Sequence, residues 1–529
     1  MVSQNGIKYA VHIITNHFGT LVAKACECLL RKGPLTLQNL CRHADISKKE
    51  EVKNSLLVLI QHNCVQAFQE PGANEKEAKF NTKYLVLFDN IIHRARFSKF
   101  LTIAANEFDK MCVSLLEALL QHGRLTVNQI HEQVNSTQKE GNSIGLDTVQ
   151  ENLHKLVTAH YVERCPIPEP FVAPSTEEEA PAKKRGAKSA KILVESQTRE
   201  QRVMAAAVPV EAKRFAIVTD VEMPVDAEKN KDNSPSLHVG EKRKHESLDS
   251  DVDNGIMDEQ AVLWRANFEE LIRRLRHKAC IENIRARMDD RAAIVLSAML
   301  EASRSEEKKV KIGNSVPLSV DSIFAEVIKN EEGRNKTPTL EHVNAVLAQL
   351  TSTPSSVRVV GESYVIDFTC IITSAQSDEV ESIVLKRHGR DAYKIFRSLS
   401  QAGRLLETDK ISDATFVEKK ATSAILYKLW QDGYLFMEKV VVGAASFLLW
   451  KVNKQTLWER VLDEMFHAAL NLNLRVAHEM DQQKEVLNIP PDRLDGPMKD
   501  RFEKLKKVRL VLESSLIKLD DAIMLFHDF

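Results

Sequence analysis

Two short clusters in this chain contain residue types that can hold a metal ion. Cys26 and Cys28 flank one glutamate, and Asp289 and Asp290 stand side by side in MDDR (288–291). A tetrahedral zinc site needs four ligands, and no second cysteine pair follows at zinc spacing. The aspartates stand where a helix is predicted to begin, and acidic residues there cap the helix and oppose its dipole. The sequence therefore favours structural roles for both clusters.

No pattern in the sequence organises a catalytic or cofactor site. Neither GxxxxGK[ST] nor GxGxxG after a predicted strand occurs, so a phosphate-binding loop is not predicted. The histidines are scattered, and several beside predicted helix ends fit surface positions better than general bases: His12, His17, His43, His62, His122 and His131. We predict no catalytic residues, no cofactor and no metal, and hence a protein that is not itself an enzyme.

Lysines gather where two predicted helices begin. One stretch is SKKEEVK, with Lys48, Lys49 and Lys53, and the other is VEKKATS, with Lys419 and Lys420. Neighbouring glutamates offset part of each charge, so contact with DNA phosphates and a solvated face fit the pattern about equally well. Neither helix has a set of Arg, Asn and Gln side chains that reads bases, so any DNA contact is predicted to be largely independent of base sequence.

Further basic residues form one patch and two short runs. The stretch LIRRLRHKAC (271–280) is a candidate patch for DNA or an acidic partner, or a solvated helix face, through Arg273, Arg274, Arg276 and Lys278. AKKRG and EKRKH suit nuclear import, although such runs are common in linkers. Their candidate residues are Lys183, Lys184, Arg185, Lys242, Arg243 and Lys244. Because the formal net charge of the chain is −1, any attraction to nucleic acid must be local.

The elements that would position these residues repeat along the chain. KGPLTLQNLCRH (32–43) is echoed by HGRLTVNQIHEQ (122–133). Each phrase lies between two amphipathic helices, and three such helices can bury one shared core although none is stable alone. Two weaker repeats follow, and the leucines that anchor the four repeats are Leu35, Leu125, Leu318 and Leu405.

Each repeat is predicted to end in a β-hairpin. VRVVGESYVIDF (357–368) and YLFMEKVVVGAASFLLWKV (434–452) each fit two strands around a turn. The hairpin of the first repeat would run from Val65 to YLVLF (84–88), and KRFAIVTD (213–220) is a candidate strand for the second. Three helices followed by a hairpin form the winged-helix arrangement.

We therefore predict a mainly α fold with small β-wings, made of four tandem winged-helix domains and a C-terminal antiparallel coiled-coil hairpin. The predicted domains are 1–100, 101–165 with a wing possibly completed by 213–220, 260–372 with a leading helix, and 373–453, followed by the hairpin at 454–529. Residues 166–259 form a charged, Pro-rich insertion that cannot bury enough apolar area to fold, so most of it is expected to be flexible.

The hairpin is predicted from two apolar seams separated by NIPPDRLDGPM (488–498). The seam residues are Leu462, Met465, Ala469, Leu472 and Val476 in the first arm, and Phe502, Leu505, Leu512, Leu516, Leu519, Ile523 and Phe526 in the second. Arg509 is the polar member of the second seam. The outer face of the hairpin, and residues 526–529 at its tip, are expected to be available to a larger partner.

Compartment and membrane association can also be predicted from composition. The longest apolar run, VVVGAASFLLW (440–450), is shorter than the roughly 20 residues that span a bilayer. The opening MVSQNGIKYA lacks the pattern of a secretory signal. The eight cysteines are sparse and lie mostly in apolar contexts, which is typical of reduced, buried residues in an intracellular protein.

The order and spacing of several phrases resemble one family, the winged-helix subunit of the initiation heterotrimer of nuclear RNA polymerase III. This is the third-largest subunit of that polymerase, related to the large subunit of transcription factor IIE. The phrases that carry the resemblance are HFGTLVAKACECLLRKG, LVTAHYVERCP, VLWRANFEELIRRLRHKA, ARMDDRAAIVLSAMLEAS, ESIVLKRHGRDAYKIFRSL, AILYKLWQDGYLFMEKV and SSLIKLDDAIMLF. The resemblance covers almost all of the chain except the insertion.

The resemblance implies a non-catalytic polymerase subunit in the nucleus. Its family supports promoter recruitment, DNA opening and initiation of transcription of tRNA, 5S rRNA and other small RNAs. The implied partners are the other heterotrimer subunits, the clamp of the largest subunit, promoter-bound initiation factors, and single-stranded or duplex DNA, with no membrane. The third helix of the second repeat begins GLDTVQEN (145–152), which is acidic and polar and argues against DNA contact by that repeat.

Two other classes of protein are compatible with parts of this pattern. A free-standing winged-helix DNA-binding transcription regulator would bind duplex DNA tightly and with base selectivity, and the weak base-reading sets argue against it. A scaffold of the proteasome-lid or cullin kind would carry long helical-repeat arrays, which this sequence lacks.

Overall fold

The computed structural model describes residues 2–71, 80–137, 144–172, 198–216, 262–304, 312–331, 339–352, 356–442, 445–490 and 495–529. Its fold is mainly helical with small antiparallel sheets, as the sequence predicts. The chain divides into two compact units. The first comprises Met1–Leu59, Tyr84–Ile103 and Phe268–Phe529, and the second comprises Ile60–Lys83 and Ala104–Asn267.

The helices in chain order are α1 (Gln4–Phe18), α2 (Thr20–Lys32), α3 (Leu37–His43), α4 (Lys49–Gln61), α5 (Phe88–His93), α6 (Phe97–Glu107), α7 (Lys110–His122), α8 (Val127–Thr137), α9 (Leu146–Thr158), α10 (Arg199–Ala207), α11 (Glu211–Arg214), α12 (Phe268–Arg287), α13 (Asp290–Ala302), α14 (Val320–Glu331), α15 (Leu340–Thr351), α16 (Phe368–His388), α17 (Arg390–Ala402), α18 (Thr408–Thr415), α19 (Lys419–Gln431), α20 (Lys454–Gln482), α21 (Lys484–Leu487) and α22 (Gly496–His527). A 3₁₀ turn at Arg94–Arg96 joins α5 to α6.

The strands are β1 (Val65–Pro71), β2 (Phe80–Val86), β3 (Val162–Arg164), β4 (Trp264–Ala266), β5 (Val357–Val360), β6 (Ser363–Ile366), β7 (Leu406–Glu407), β8 (Phe436–Val442) and β9 (Ala445–Lys451). Among the described residues they form three two-stranded sheets and one three-stranded sheet, in which β9 lies between β7 and β8. The hairpins predicted at 357–368 and 434–452 are both confirmed, since β5 pairs with β6 and β8 pairs with β9 in antiparallel register.

In the first, second and fourth repeats, the turn after the first helix contains a glycine with a positive φ. Gly33, Gly123 and Gly403 follow α2, α7 and α17, with φ values of 79°, 83° and 63°. Side chains with a Cβ avoid this region, whereas glycine enters it freely. The shared glycine of the two sequence phrases is therefore required by the backbone.

The anchor leucines join these turns to the strands. Leu35 bridges to Tyr84, Leu125 to Trp264 and Leu318 to Tyr364. In the fourth repeat the paired residue is Leu406, which lies opposite Trp450 in β9, one residue after the predicted anchor Leu405. The same short contact between a turn and a strand thus recurs in all four repeats.

The candidate strand at 213–220 is wrong for its described part. Lys213 and Arg214 lie in α11, where the N–H of Lys213 donates to the carbonyl of Val210 (2.7 Å). The strand that pairs with β3 is β4, with Val162 opposite Ala266. The N–H groups of Lys213 and Arg214 both donate to the carbonyl of Val210 within this turn. These groups therefore do not need hydrogen-bond partners in a sheet. Residues 217–220 lie outside the described residues.

The insertion, most of which is expected to be flexible, contains two described pieces with regular contacts. Residues 166–172 lie beside β1, where the N–H of Gln69 donates to Pro170 O (2.9 Å) and the N–H of Val172 donates to Gln69 O (3.0 Å). Helix α10 begins with a capping box and buries Val203 and Ala207 completely. Two small apolar residues four positions apart give this polar helix one buried face.

Helices α20 and α22 pack against each other in the first compact unit. The seam residues Met465 and Ala469 are buried, whereas Arg509 is exposed and pairs with Glu513 (2.7 Å). Helix α20 also packs on α1, where the backbone N–H and side-chain amide of Asn5 both donate to the carboxylate of Asp463.

The expected availability of residues 526–529 to a partner is wrong. Asp528 is 5% exposed, and Leu525 and Phe529 pack against the core of the third repeat. That core is formed mainly by α13, α15 and α16. The end of α22 is apolar because it completes this core, and sequence periodicity alone does not reveal which surface covers it.

Candidate functional site

The lysines at the start of α4 form an exposed basic edge. Lys48, Lys49 and Lys53 are all exposed. Lys53 pairs with Glu50 (2.9 Å), and Lys48 lies 3.4 Å from Glu51. Exposed ion pairs of this kind contribute about 1 kcal/mol or less, so a phosphate can replace the carboxylate at little cost. The geometry leaves these lysines accessible to a polyanion.

The lysines at the start of α19 are accessible in the same way. Lys419 lies 3.4 Å from Asp409, and both side chains are at least 60% exposed. Lys420 is exposed beside it. A helix N-terminus favours anions because its first N–H groups lack intrahelical acceptors. The lysine charges and the polarity of the backbone at the start of α19 therefore both favour binding of an anion.

Two aromatic residues on α19 extend this surface and were missed in the sequence. Tyr427 is 58% exposed and Trp430 is 36% exposed, and their ring centroids are 5.3 Å apart. Lys420 and Tyr427 are two turns apart and share one face of the helix. The seven-residue spacing was the signal that could have identified this face. A helix face that carries both a lysine and exposed rings can contact both a phosphate and an apolar or planar group.

The predicted arginine patch on α12 is not an accessible surface. Arg273, Arg274 and Arg276 are at most 8% exposed, because α12 packs against both α13 and α16. Arg273 and Arg274 pair with the buried Glu270, at 2.9 Å for Arg274. Both interpretations of this stretch, a binding patch and a solvated face, are therefore wrong for the three arginines.

The remaining two residues of the stretch differ in environment. The guanidinium of Arg276 lies 4.3 Å from the ring centroid of Phe368, as a buried cation–π pair. Lys278 is 58% exposed and lies 3.9 Å from Glu282. Only Lys278 keeps the exposure that a DNA or partner contact requires.

The other candidate residues lie outside a binding surface or outside the described residues. The nuclear import candidates at 183–185 and 242–244 belong to the part of the chain that the structure does not describe. The carboxylate of Asp289 accepts from the N–H of Ala292 (2.8 Å), which confirms its role as a helix cap.

No metal cluster of three or more His, Cys, Asp or Glu side chains is found in the described ranges. Burial raises the pKa of Cys112 to about 12, so its thiol stays protonated. No helix in these ranges is both long and apolar enough to cross a bilayer.

Comparison with known protein families identifies the chain. The model of the RNA polymerase III subunit RPC82 helix-turn-helix domain matches residues 8–70, and the model of RNA polymerase III subunit RPC82 matches residues 151–375. Together the two matches cover more than half of the chain. The chain belongs to the RPC82 family of RNA polymerase III subunits.

Curated relatives agree with this assignment over the whole length. The bovine and human proteins named DNA-directed RNA polymerase III subunit RPC3 are each 22% identical, over all of this chain and 99% and 98% of their own lengths. The Dictyostelium discoideum protein of the same name is 20% identical over 99% of both chains. The RPC82-family chain is thus a subunit of RNA polymerase III, and it is a non-catalytic one, as its sequence predicts.

A buried ion cluster in the RPC82-family chain holds the end of α22 in the first compact unit. Arg96 is fully buried, and its Nε lies 2.9 Å from Asp520 while its Nη1 lies 2.5 Å from Asp528. His93 Nε2 lies 3.2 Å from Asp528, and Lys99 lies 2.6 Å from Asp520. More than 400 residues of chain separate the partners, so no local pattern could have identified them.

Acid should weaken this cluster through Asp528. Burial raises the pKa of the Asp528 carboxyl, but the Arg96 charge and the His93 hydrogen bond outweigh it and hold the pKa well below its usual range. A lowered folded-state pKa stabilises the fold above the unfolded value of about 4, and that stability is lost as pH falls through the folded value. We expect Asp528→Asn to be less stable at pH 7 and to flatten the acid limb below about pH 4, as measured by denaturant unfolding.

Asp521→Asn provides the matched control for this pH dependence, because that carboxylate is 60% exposed at the edge of the same cluster. It should leave the acid limb nearly unchanged. Equal acid limbs for the unmodified chain and Asp528→Asn would contradict the prediction.

Proposed function

We propose that this chain acts in a subcomplex of RNA polymerase III that supports promoter recruitment, DNA opening and initiation of transcription of tRNA, 5S rRNA and other small RNAs. The observation that carries the proposal is the full-length likeness to polymerase III subunits, combined with exposed lysines at the start of α4 and α19. The relatives' printed names give the polymerase, and the lysines supply a means of contact with nucleic acid.

The finer architecture belongs to the same proposal. The four repeats are interpreted as tandem winged-helix domains, with α4, α9, α15 and α19 as their third helices. Recurrent left-handed turns and bridges from turn to strand support this interpretation. Helices α20 and α22 are interpreted as a coiled-coil hairpin, whose described seam is apolar. We retain the predicted domain boundaries as part of the proposal.

The proposed partners are the other heterotrimer subunits, the clamp of the largest polymerase subunit, promoter-bound initiation factors and DNA. Contacts with DNA are assigned to the first and fourth repeats because their third helices begin with exposed lysines. The third helix of the second repeat begins with Asp147 in its first turn and no lysine, so no DNA contact is assigned to it. The chain is proposed to work in the nucleus, with import through 183–185 or 242–244.

Affinity purification of the tagged full-length chain from nuclear extract tests the assignment to the polymerase. Mass spectrometry of the purified material should find the large polymerase III subunits. Their absence would refute the proposal. Tight, sequence-selective duplex binding by the chain alone would instead favour a free-standing regulator.

Replacing two lysines tests the DNA contact. The double variant Lys419→Gln and Lys420→Gln should weaken binding of the full chain to single-stranded or duplex DNA about tenfold or more near 0.1 M salt. The slope of log K against log salt is negative, and each lost contact with a duplex phosphate reduces its magnitude by about 0.9. A salt-titrated fluorescence anisotropy measurement gives both quantities.

The matched control is Lys329→Gln with Lys394→Gln. These lysines are 67% and 54% exposed and are paired with Glu326 and Asp391, so the change in net charge is the same. The control should keep the unmodified affinity and slope. Equal losses in both double variants would show that the attraction is not local to α19.

A further inference from the structure

Phe416 occupies a position that is unfavourable for phenylalanine in two respects. It follows α18 with φ 55° and ψ 35°, in the left-handed region, and its side chain is 95% exposed. The left-handed conformation is unfavourable for a residue with a Cβ. An exposed aromatic ring also leaves a large apolar area in water. Neither cost is offset within the described chain.

Hydrogen bonds from buried side-chain hydroxyls fix the turn that carries Phe416. The hydroxyl of Ser412 donates to the carbonyl of Val417 (2.6 Å), and the hydroxyl of Thr422 donates to the same carbonyl (3.3 Å). The hydroxyl of Thr415 donates to Ile411 O (2.7 Å). All three hydroxyl residues are buried. The backbone therefore presents the Phe416 ring outward in a fixed position.

The equivalent turn of the first repeat shows that the fold does not need an aromatic residue there. Between α3 and α4, Asp45 has φ 48°, and aspartate tolerates this region better than most residues. Its carboxylate lies 3.4 Å from Lys24. Among the described non-glycine residues with positive φ, the other two are Asn63 and His160, which are also polar. Phe416 differs from all three, which indicates a role for the ring itself.

The surroundings of the ring favour a protein over a nucleic acid as its partner. Asp413 and Glu418 are exposed on either side of Phe416 in the chain. Lys419 and Lys420, which follow Glu418, are also exposed, so charges of both signs surround the ring. An aromatic residue surrounded by mixed charges has the anatomy of a protein–protein contact, in which an apolar anchor fills a pocket and charges form the rim.

We propose that Phe416 is an anchor that inserts into an apolar pocket of another protein, with a basic rim facing Asp413 and Glu418. The proposal goes beyond the assigned DNA contacts of α19. It rests on the proposed function, because that function makes the partner a polymerase subunit or a promoter-bound factor. The fixed turn lowers the entropy lost on binding, because the ring is already in position.

Substitution of Phe416 separates binding from folding. Phe416→Gly removes the ring and suits the left-handed backbone, and Phe416→Asp reproduces the residue of the first repeat. Both should unfold at the same or a higher temperature than the unmodified chain. Both should reduce co-purification of the partner with the tagged full-length chain about tenfold or more, as expected for loss of a buried aromatic anchor. Phe416→Trp keeps a large aromatic ring and should retain most of the co-purification of the partner.

A photo-crosslinking amino acid at position 416 of the assembled complex identifies the occupant. It should crosslink to a protein, and the same group at position 45 should not crosslink to that protein. Crosslinks to DNA, absence of crosslinks, or unchanged co-purification of the Gly and Asp variants would each overturn the anchor. Failure of the unmodified chain to co-purify with the polymerase would refute the proposed function and the anchor together.

Discussion

Replacing Arg96 with alanine is expected to lower the free energy of unfolding by about 3–5 kcal/mol. The side chain is fully buried between Asp520 and Asp528, which are themselves less than 10% exposed. Removing the guanidinium leaves two carboxylates without their main counter-charge in a region that water does not reach. Burial lowers the pKa of Arg96, but the two aspartates outweigh this and raise it, so the guanidinium is charged at all relevant pH values. Denaturant unfolding followed by circular dichroism measures the loss.

Arg509→Ala is the matched control for this loss. Arg509 also pairs with a carboxylate on α22, that of Glu513, but its side chain is 52% exposed. An exposed pair within one helix contributes less than about 1 kcal/mol. Each substitution removes one arginine, but Arg96 pairs with two buried aspartates and Arg509 with one exposed glutamate, so the comparison measures the effect of the buried cluster against that of an exposed pair. Similar losses for the two variants would show that the Arg96 cluster is not the determinant of stability at this place.

Replacing Gly123 with alanine is expected to lower the free energy of unfolding by more than about 3 kcal/mol. A Cβ at this position would meet the backbone carbonyl of Gln61 and lie 3.0 Å from the Cα of His62, at a φ of 83°. The obstruction is backbone, so no side-chain rotation relieves it. The same carbonyl accepts a hydrogen bond from the N–H of Arg124 (3.1 Å), which a shift of the turn would lengthen. Thermal and denaturant unfolding report the cost.

Gly33→Ala is the corresponding control from the first repeat. Gly33 has a φ of 79°, close to that of Gly123, and no atom lies within 4 Å of an added Cβ. Its substitution should cost only the backbone strain, about 1–3 kcal/mol. The difference between the two variants measures the close approach of the Gln61 carbonyl. Equal costs would mean that strain alone explains both glycines.

Periodicity and turn chemistry were sufficient to predict the repeats from the sequence. The phrases at 32–43 and 122–133 share a glycine because both turns require a left-handed residue, as the φ values at Gly33 and Gly123 confirm. The strands at 357–368 and 434–452 were predicted from β-prone residues around short turns, and their pairing is confirmed. These features depend on residues a few positions apart in the chain, so a local sequence pattern is enough to predict them.

Exposure of the candidate site residues could be predicted only in part. The lysines of α4 and α19 were identified at helix starts, and the structure leaves them exposed. The arginines of α12 were wrongly expected to be accessible, because a run of cations is usually solvated. Here Glu270 and the packing of α13 and α16 neutralise and cover them. Which surfaces a helix meets is decided by partners far along the chain.

The sequence by itself identified the repeated phrases, the hairpins at 357–368 and 434–452, the absence of a recognisable catalytic pattern and the family. Hydrophobic periodicity, glycine and capping residues act locally, so they can be read without the fold. Only the tertiary structure decided that Arg96 is joined to Asp520 and Asp528, and that the end of α22 completes a core and is not a free tip. It also decided that Phe416 stands exposed on a strained turn. The physical reason is that burial and charge pairing depend on contacts between distant segments, which no local pattern contains.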